Sequence, residues 1–286
     1  MSVVHEPGEG RPLAVLLPFR APEPKPWRWP RLRLTHMVGL AGLLLVVGGS
    51  AFAQASGARL SALEVIWKWS PLLLSGFCFN ILMSVLAMAL GTAAGIGLGL
   101  LQIGENALLR RLAWGATQFF RNAPWLVLLF FAMFMIPFQF RVFGYTIPFP
   151  DWVKAVIGFS LPVMANMSEI VRGAVASLPS GQWEAAESLA FSRRQTLWMI
   201  ILPQCVKRML PPWMNLYSLI TMATVQASIV GVSEMLTLTA QVHAAEGGRP
   251  DLLAPLYGFA MLCFFVYCYP IERFTLYLER RFQLNQ

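Results

Sequence analysis

The chain has 286 residues, 57% of them hydrophobic and only 13% charged, with a mean hydropathy of +0.58. A water-soluble domain carries about 25% charged residues, so composition excludes an ordinary soluble enzyme or binding module and indicates a polytopic membrane protein. The net charge of +8 is not a nucleic-acid footprint, because the excess Lys and Arg lie between apolar runs and in the N-terminal tail rather than along a basic stripe with interleaved aromatics.

Residues 1–34 read as a disordered, basic cytoplasmic tail. Seven prolines (Pro7, Pro12, Pro18, Pro22, Pro24, Pro26 and Pro30) alternate there with Arg20, Lys25, Arg28, Arg31 and Arg33. The first apolar run, 37–53, predicts an extra N-terminal transmembrane helix within 35–55. Ala51, Phe52 and Ala53 before Gln54 also fit a signal-peptide cleavage site. The long proline-rich region ahead of them does not, which favours a retained anchor.

A transmembrane domain is expected over 70–286. Its first run, 71–103, is longer than the ~20 apolar residues a span needs. Gly91, Gly95 and Gly99 repeat there every fourth residue, leaving one smooth helix face on which another helix can pack closely. The next run, 123–138, has Pro124 in its first turn, where proline is tolerated. Runs 152–171, 212–232 and 252–271 follow, giving about six spans in an all-α fold. Arg110 and Arg111, then Arg172, Arg193, Arg194, Lys207 and Arg208, then Arg273, Arg280 and Arg281 occupy alternate loops. The other loops hold Arg59 and Lys68, Arg141, and Arg249 offset by Glu246 and Asp251. The positive-inside rule puts both chain ends and the loop around 172–211 in the cytoplasm.

That loop is the most informative stretch. Pro179, Ser180 and Gly181 make a turn, good helix formers fill 182–190, and Ser192 with Gln195 fits a capping box. Two short helices are expected, with a bend near Ala190 and Phe191 and the second helix stopping before Pro203. Glu184 and Glu187 flank a small Ala185–Ala186 surface, which suits close docking against a partner. An amphipathic helix lying on membrane lipid is the other reading of these residues.

Ionisable residues inside spans are costly and are functional candidates by default. Glu169 stands out, with Asn166 on the same helix face; it suits attraction of a solute's ammonium group, or pairing with Arg172. Tyr217, Ser218, Thr221, Thr224 and Ser228 form a polar arc that either lines a pathway or bonds between helices. Asn80 and Ser84 make a smaller polar pair with the same two readings. Arg121 is expected to reach for the membrane interface. Cys78, Cys205, Cys263 and Cys268 show no CxxC spacing and His5, His36 and His243 are scattered, so no metal site is expected; Ser, His and Asp never assemble into a recognisable set, so no catalytic residue is expected either.

GQWEAAESLAFS (181–192) followed by LPQCVKRMLPPWMN (202–215) resembles the EAA loop of ABC-transporter permeases. The closest likeness is to the polar-amino-acid group handling histidine, glutamine and glutamate. FFRNAPWLVLLFF (119–131), SEIVRGAVASLPSGQWEAA (168–186) and IVGVSEM (229–235) extend the resemblance in order from about residue 74 to residue 281. The resemblance implies an ABC importer permease fold in the bacterial inner membrane, with a coupling-helix loop over 179–210. It implies docking onto a cytoplasmic ABC ATPase dimer through Gly181, Glu184, Ala185, Ala186 and Ala190, with Arg193 and Arg194 at the rim. It further implies a second permease subunit, identical or not, and a periplasmic solute-binding protein. A substrate pathway through Glu169, Asn166, Asn80, Ser218, Thr221 and Thr224 is the accompanying expectation. Nothing like GxxxxGK[ST] occurs, so no cofactor is expected on this chain, and ATP and Mg would reside on the ATPase.

Three departures stand out. The family has Gly where Ala190 stands, a basic residue at the start of the segment aligned with Met222–Gln226, and usually Thr where Asn80 stands. They leave the solute open, including another small zwitterion such as an opine. An ion-coupled secondary transporter is the alternative class, although no internal repeat supports it.

Overall fold

The structure is a computed structural model that describes residues 60–142 and 145–283. The tail 1–34 and the first apolar run lie outside the described residues.

Helix α1 (Ala62–Ile103) has 42 residues, about 63 Å at 1.5 Å per residue. Ser61 starts it with a capping box: its backbone N–H donates to Glu64 Oε2 at 2.7 Å and its hydroxyl accepts from the Glu64 N–H. The helix therefore begins well before the predicted apolar run, because a cap and amphipathic turns extend it beyond any lipid-facing need. The Gly91–Gly95–Gly99 face meets α4 (Asp151–Ala176). A Cβ on Gly95 would lie 2.6 Å from the Met164 carbonyl and from Met167 Cβ, and one on Gly99 2.8 Å from Val171. The glycines are required by close approach, as the spacing suggested.

The predicted third run is interrupted. Helix α2 (Ala107–Asn122), capped by the Asn106 side chain, turns by 106° into α3 (Trp125–Met135), for which Pro124 is the N-cap residue. A two-stranded antiparallel hairpin, β1 (Gln139–Val142) with β2 (Tyr145–Pro148), leads into α4. The basic loop contains α5 (Ser180–Ser188) and α6 (Arg193–Gln195). Its second helix does not stop before Pro203. A π-helical turn over Thr196–Ile201 runs straight into α7 (Leu202–Ala223), the wider turn making room for a proline that has no N–H to donate. The predicted fifth run ends early: α7 passes into a 3-10 stretch, Thr224–Val230, and the chain bends by 51° into α8 (Met235–Ala245). Finally α9 (Pro250–Gln283) extends well beyond the predicted apolar run.

Among the described residues two helices, α1 and α9, are long and apolar enough to cross a bilayer, and each bent pair adds one more span if counted as one. Helix α4 has 26 residues but carries Lys154, Glu169 and Arg172. It sits at the centre, packed by α1, α2, α3 and α7, so these side chains need not face lipid. One apolar core joins Met83, Leu129, Phe159 and Ile220 across α1, α3, α4 and α7. A second joins Leu73 and Phe77 to Met235, Leu252 and Leu256, tying α8 and α9 to α1.

Candidate functional site

The basic loop is built as a braced elbow. Just past α5 the backbone of Ala190 takes φ 59, and among the described residues it is the one non-glycine with positive φ. The Ala190 N–H donates to the Glu187 carbonyl at 2.9 Å and the Phe191 N–H to the Ala186 carbonyl at 3.1 Å. This bond pair closes a helix with a left-handed residue, a position that favours glycine. The second arm starts at Ser192, whose N–H and hydroxyl both donate to Gln195 Oε1. Capping box and bend therefore stand where the residues predicted them.

Trp183 anchors the elbow. It packs on the cluster of Ala174, Val175, Leu178, Ile201 and Cys205, the last two fully buried. The Arg193 guanidinium lies 5.8 Å from the Trp183 ring and 3.5 Å from Glu105 in the α1–α2 turn. Ala186 turns inward and is 2% exposed, whereas Gly181, Glu184, Ala185, Ala190, Arg193 and Arg194 are exposed. Leu189 joins the outer face at 73% exposed. So the outward surface includes Gly181, Glu184, Ala185 and Leu189, with Ala186 on the packing side. Exposed Leu189 was missed because apolar residues are assigned inward by default.

Directly behind the loop lies a cavity of about 560 Å³. Its polar lining is Arg121, Asn166, Glu169, Arg172, Ser177, Arg208 and Asn215, beside the apolar Pro212, Leu216 and Leu219. Glu169 is paired twice: Arg172 Nη2 lies 2.8 Å and Arg121 Nη1 3.6 Å from its Oε2. Arg121 is thus turned to Glu169 rather than only to an interface. The Asn166 amide donates to the Pro162 carbonyl at 2.8 Å. Arg208 donates to the Ser177 carbonyl and hydroxyl at 3.0 and 2.9 Å. Ser177 is the C-cap of α4, just ahead of α5, so loop and cavity share a wall.

Asn80, Ser218, Thr221 and Thr224 do not line this cavity. All four are buried in the helix interior. Thr221 and Thr224 donate to carbonyls of their own helix, and the Asn80 amide reaches Thr224 Oγ1 at 3.0 Å. The Tyr217 and Tyr267 hydroxyls meet at 2.7 Å between α7 and α9. Two buried polar clusters join residues that the sequence does not group together. Gln102 donates to Thr117 and Ser168, joining α1, α2 and α4. Glu234 accepts from Asn80 at 2.9 Å. Asn80 is already a candidate from the sequence and Glu234 is an acid inside an apolar stretch, whereas Gln102 and Thr117 are single polar residues with no signal of their own.

The family model for the inner membrane component of binding-protein-dependent transport systems matches residues 91–284, which is most of the chain. The chain belongs to that family. It is therefore a membrane-embedded transport subunit of the inner membrane. A probable amino-acid ABC transporter permease, YckA of Bacillus subtilis (strain 168), is 34% identical over 74% of this chain and 89% of its own length. The L-cystine transport system permease TcyB of the same organism is 29% identical over 74% of this chain and 86% of its own. A crystal structure of an amino acid ABC transporter with histidines superposes with a TM-score of 0.67, at 22% identity, over 78% of this chain and all of that one. The likeness in structure speaks to the permease fold, which here is built from α1, the bent pairs α2–α3 and α7–α8, α4 and α9.

Proposed function

We propose that this chain forms the transmembrane pathway of an ATP-driven importer for polar amino acids and that α5 couples it to a cytoplasmic ATPase. The observation that carries the reading is the shared wall between the braced elbow and the polar cavity, through Ser177 and Arg208. A push on Gly181, Glu184, Ala185 and Leu189 reaches the cavity through the Trp183 cluster, which shares Ala174 with the cavity wall. Three guanidinium groups, Glu169, Asn166 and Asn215 suit a zwitterion that carries both an amine and a carboxylate. The relatives' names point to the same class of solute. ATP and Mg belong to the partner ATPase dimer, which supplies the catalysis; this chain supplies none. A second permease subunit, a periplasmic solute-binding protein and surrounding lipid complete the assembly, and the loop faces the cytoplasm.

The test is co-purification of the tagged chain in mild detergent beside Glu184→Arg. The native chain is expected to retain an ABC ATPase and the variant to lose it, while both keep the same thermal midpoint. Native protein that holds no ATPase, where a related permease keeps its own, sinks the coupling reading. Uptake of each common amino acid by vesicles containing the assembled transporter then identifies the solute. Glu169→Gln is expected to lower that uptake about tenfold, the scale of one lost charge-assisted contact of ~1.4 kcal/mol.

A further inference from the structure

The 3-10 stretch Thr224–Val230 has seven residues. Such runs rarely exceed three or four, and inside a helix they mark hinges or strain. Gly231 ends it with φ 87, and a Cβ there would meet nothing within 4 Å, so the glycine serves the backbone turn and not a tight contact. A little further on, Glu234 is fully buried. Its carboxylate accepts from the Thr237 N–H at 2.9 Å and from Asn80 Nδ2 at 2.9 Å, while the Thr237 hydroxyl donates to the Val232 carbonyl at 2.9 Å. It thus caps α8 and holds α1 with one group. Asn80, also fully buried, directs its other amide hydrogen to Thr224 Oγ1 at 3.0 Å and accepts the Met235 N–H at 3.1 Å. One turn away Gly76 lets α1 approach Met235, where a Cβ would lie 2.9 Å from the Met235 Cα. One side chain of α1 therefore touches both ends of the segment that contains the 3-10 stretch. Its bonds on the α8 side, to a carboxylate and a backbone N–H, outweigh its single neutral bond to Thr224.

We propose that Asn80 and Glu234 form a latch that fixes α8 to α1 and leaves the 3-10 stretch as the hinge about which α7 moves. Glu234 is then a positioning residue for transport. The hinge rests on the coupling reading above, because α7 is the helix fed by the loop. The latch itself does not.

The decisive variants are Asn80→Asp, Glu234→Gln and the two combined. Asn80→Asp sets two carboxylates face to face, and Glu234→Gln sets two amides. The combined change restores the bond between the two positions with donor and acceptor exchanged. The carboxylate is then on α1, where it still accepts the Met235 N–H, and the amide is at the start of α8, where its oxygen still accepts the Thr237 N–H. Spin labels at exposed positions Trp67 on α1, Gln241 on α8 and Val206 on α7 are placed in a background with the four native cysteines replaced by alanine. Distances are measured in vesicles carrying the assembled transporter, with and without ATP and vanadate. In native protein the Val206–Gln241 distance should shift on nucleotide trapping while Trp67–Gln241 stays constant. The single changes should at least double the width of the Trp67–Gln241 distribution, and the combined change should return it to the native width. A Trp67–Gln241 shift equal to the Val206–Gln241 shift, or no shift while the ATPase turns over, overturns the hinge. A combined variant as broad as the singles overturns the latch, with or without an ATPase. If the singles yield no folded protein, recovery of folded protein by the combined variant supports the latch and its failure overturns it. Absence of any ATPase in the native assembly counts against coupling instead, and the widths still decide the latch.

Discussion

The seam between α1 and α4 and the elbow at α5 make opposite uses of a single methyl group. At Gly95 no Cβ fits, since the Met164 carbonyl and Met167 would lie 2.6 Å away. At Ala190 a Cβ is present on a backbone with φ 59, where glycine is the easier choice. The seam is fixed by contacts on every side, whereas the elbow carries local strain and is held by Trp183, Arg193 and its capping box. Interior helices here are set by shape. The basic loop is set by bracing, which leaves its outer face exposed.

The comparison breaks most visibly at the seam. Gly95→Leu should cost about 3 kcal/mol or more, because neither a carbonyl nor a neighbouring helix can yield. Folded protein should be scarce by size-exclusion chromatography. Gly97 is the control, as a Cβ there meets nothing within 4 Å; Gly97→Ala should leave the thermal midpoint unchanged or raise it, by up to about 1 kcal/mol. If both changes cost the same, the seam is not set by close approach. Trp183→Ala comes next. The side chain is half-buried over the cluster under the loop, so about 2 kcal/mol is expected, roughly half the cost at a fully buried tryptophan. Protease cleavage between Leu189 and Arg194 should accelerate while the α1–α4 seam stays intact; unchanged cleavage would mean that Trp183 is not the brace. Ala190→Gly sharpens the contrast from the other side. It should stabilise the elbow by about 1 kcal/mol by relieving the left-handed alanine, seen as slower cleavage at the same site. Destabilisation instead would show that the Ala190 methyl makes a contact worth more than the strain.

Much of this architecture was readable from residues alone. The four-residue glycine repeat specified the α1 packing face, because spacing and size fix geometry together. The Ser192–Gln195 cap and the bend at Ala190 followed from local chemistry, which needs no distant partner. The breaks were not readable. Helices α2 and α8 are too short or too amphipathic to register as apolar runs, and Pro203 looked like a stop because a π turn is a tertiary accommodation. The cavity was half legible. Glu169 and Asn166 announce themselves as polar residues in a span, but whether Asn80, Ser218, Thr221 and Thr224 face a path or a neighbouring helix depends on helix rotation. A polar arc has the same pattern in both cases. Glu234 gives no local sign of its role, since its partner Asn80 is 154 residues away.

The smallest effect lies at the end of the molecule opposite the elbow, where charges are balanced rather than one-sided. Lys68 Nζ and Trp69 Nε1 both donate to Glu246 Oε1 at 2.8 Å, and Arg249 pairs with Asp251 at 2.6 Å. The acids that diluted the basic count of the outer loops are thus engaged with those same bases. The Lys68 hydrogen bond, then that of Trp69, holds the Glu246 carboxyl below its ordinary range against a small opposing effect of burial. A carboxyl lowered in the folded state stabilises fully above its unfolded pKa and loses that contribution as pH falls through the folded value. Native protein should therefore be more stable than Glu246→Gln at neutral pH, and the gap should close as pH drops below about 4. Lys68 is half exposed, so the gap itself should be under about 1 kcal/mol. Thermal midpoints of the two proteins from about pH 7 down to about pH 3.5 measure it across that window. A gap that widens on acidification would reverse the sign and remove Glu246 from the contacts that hold the start of α1 to the α8–α9 turn.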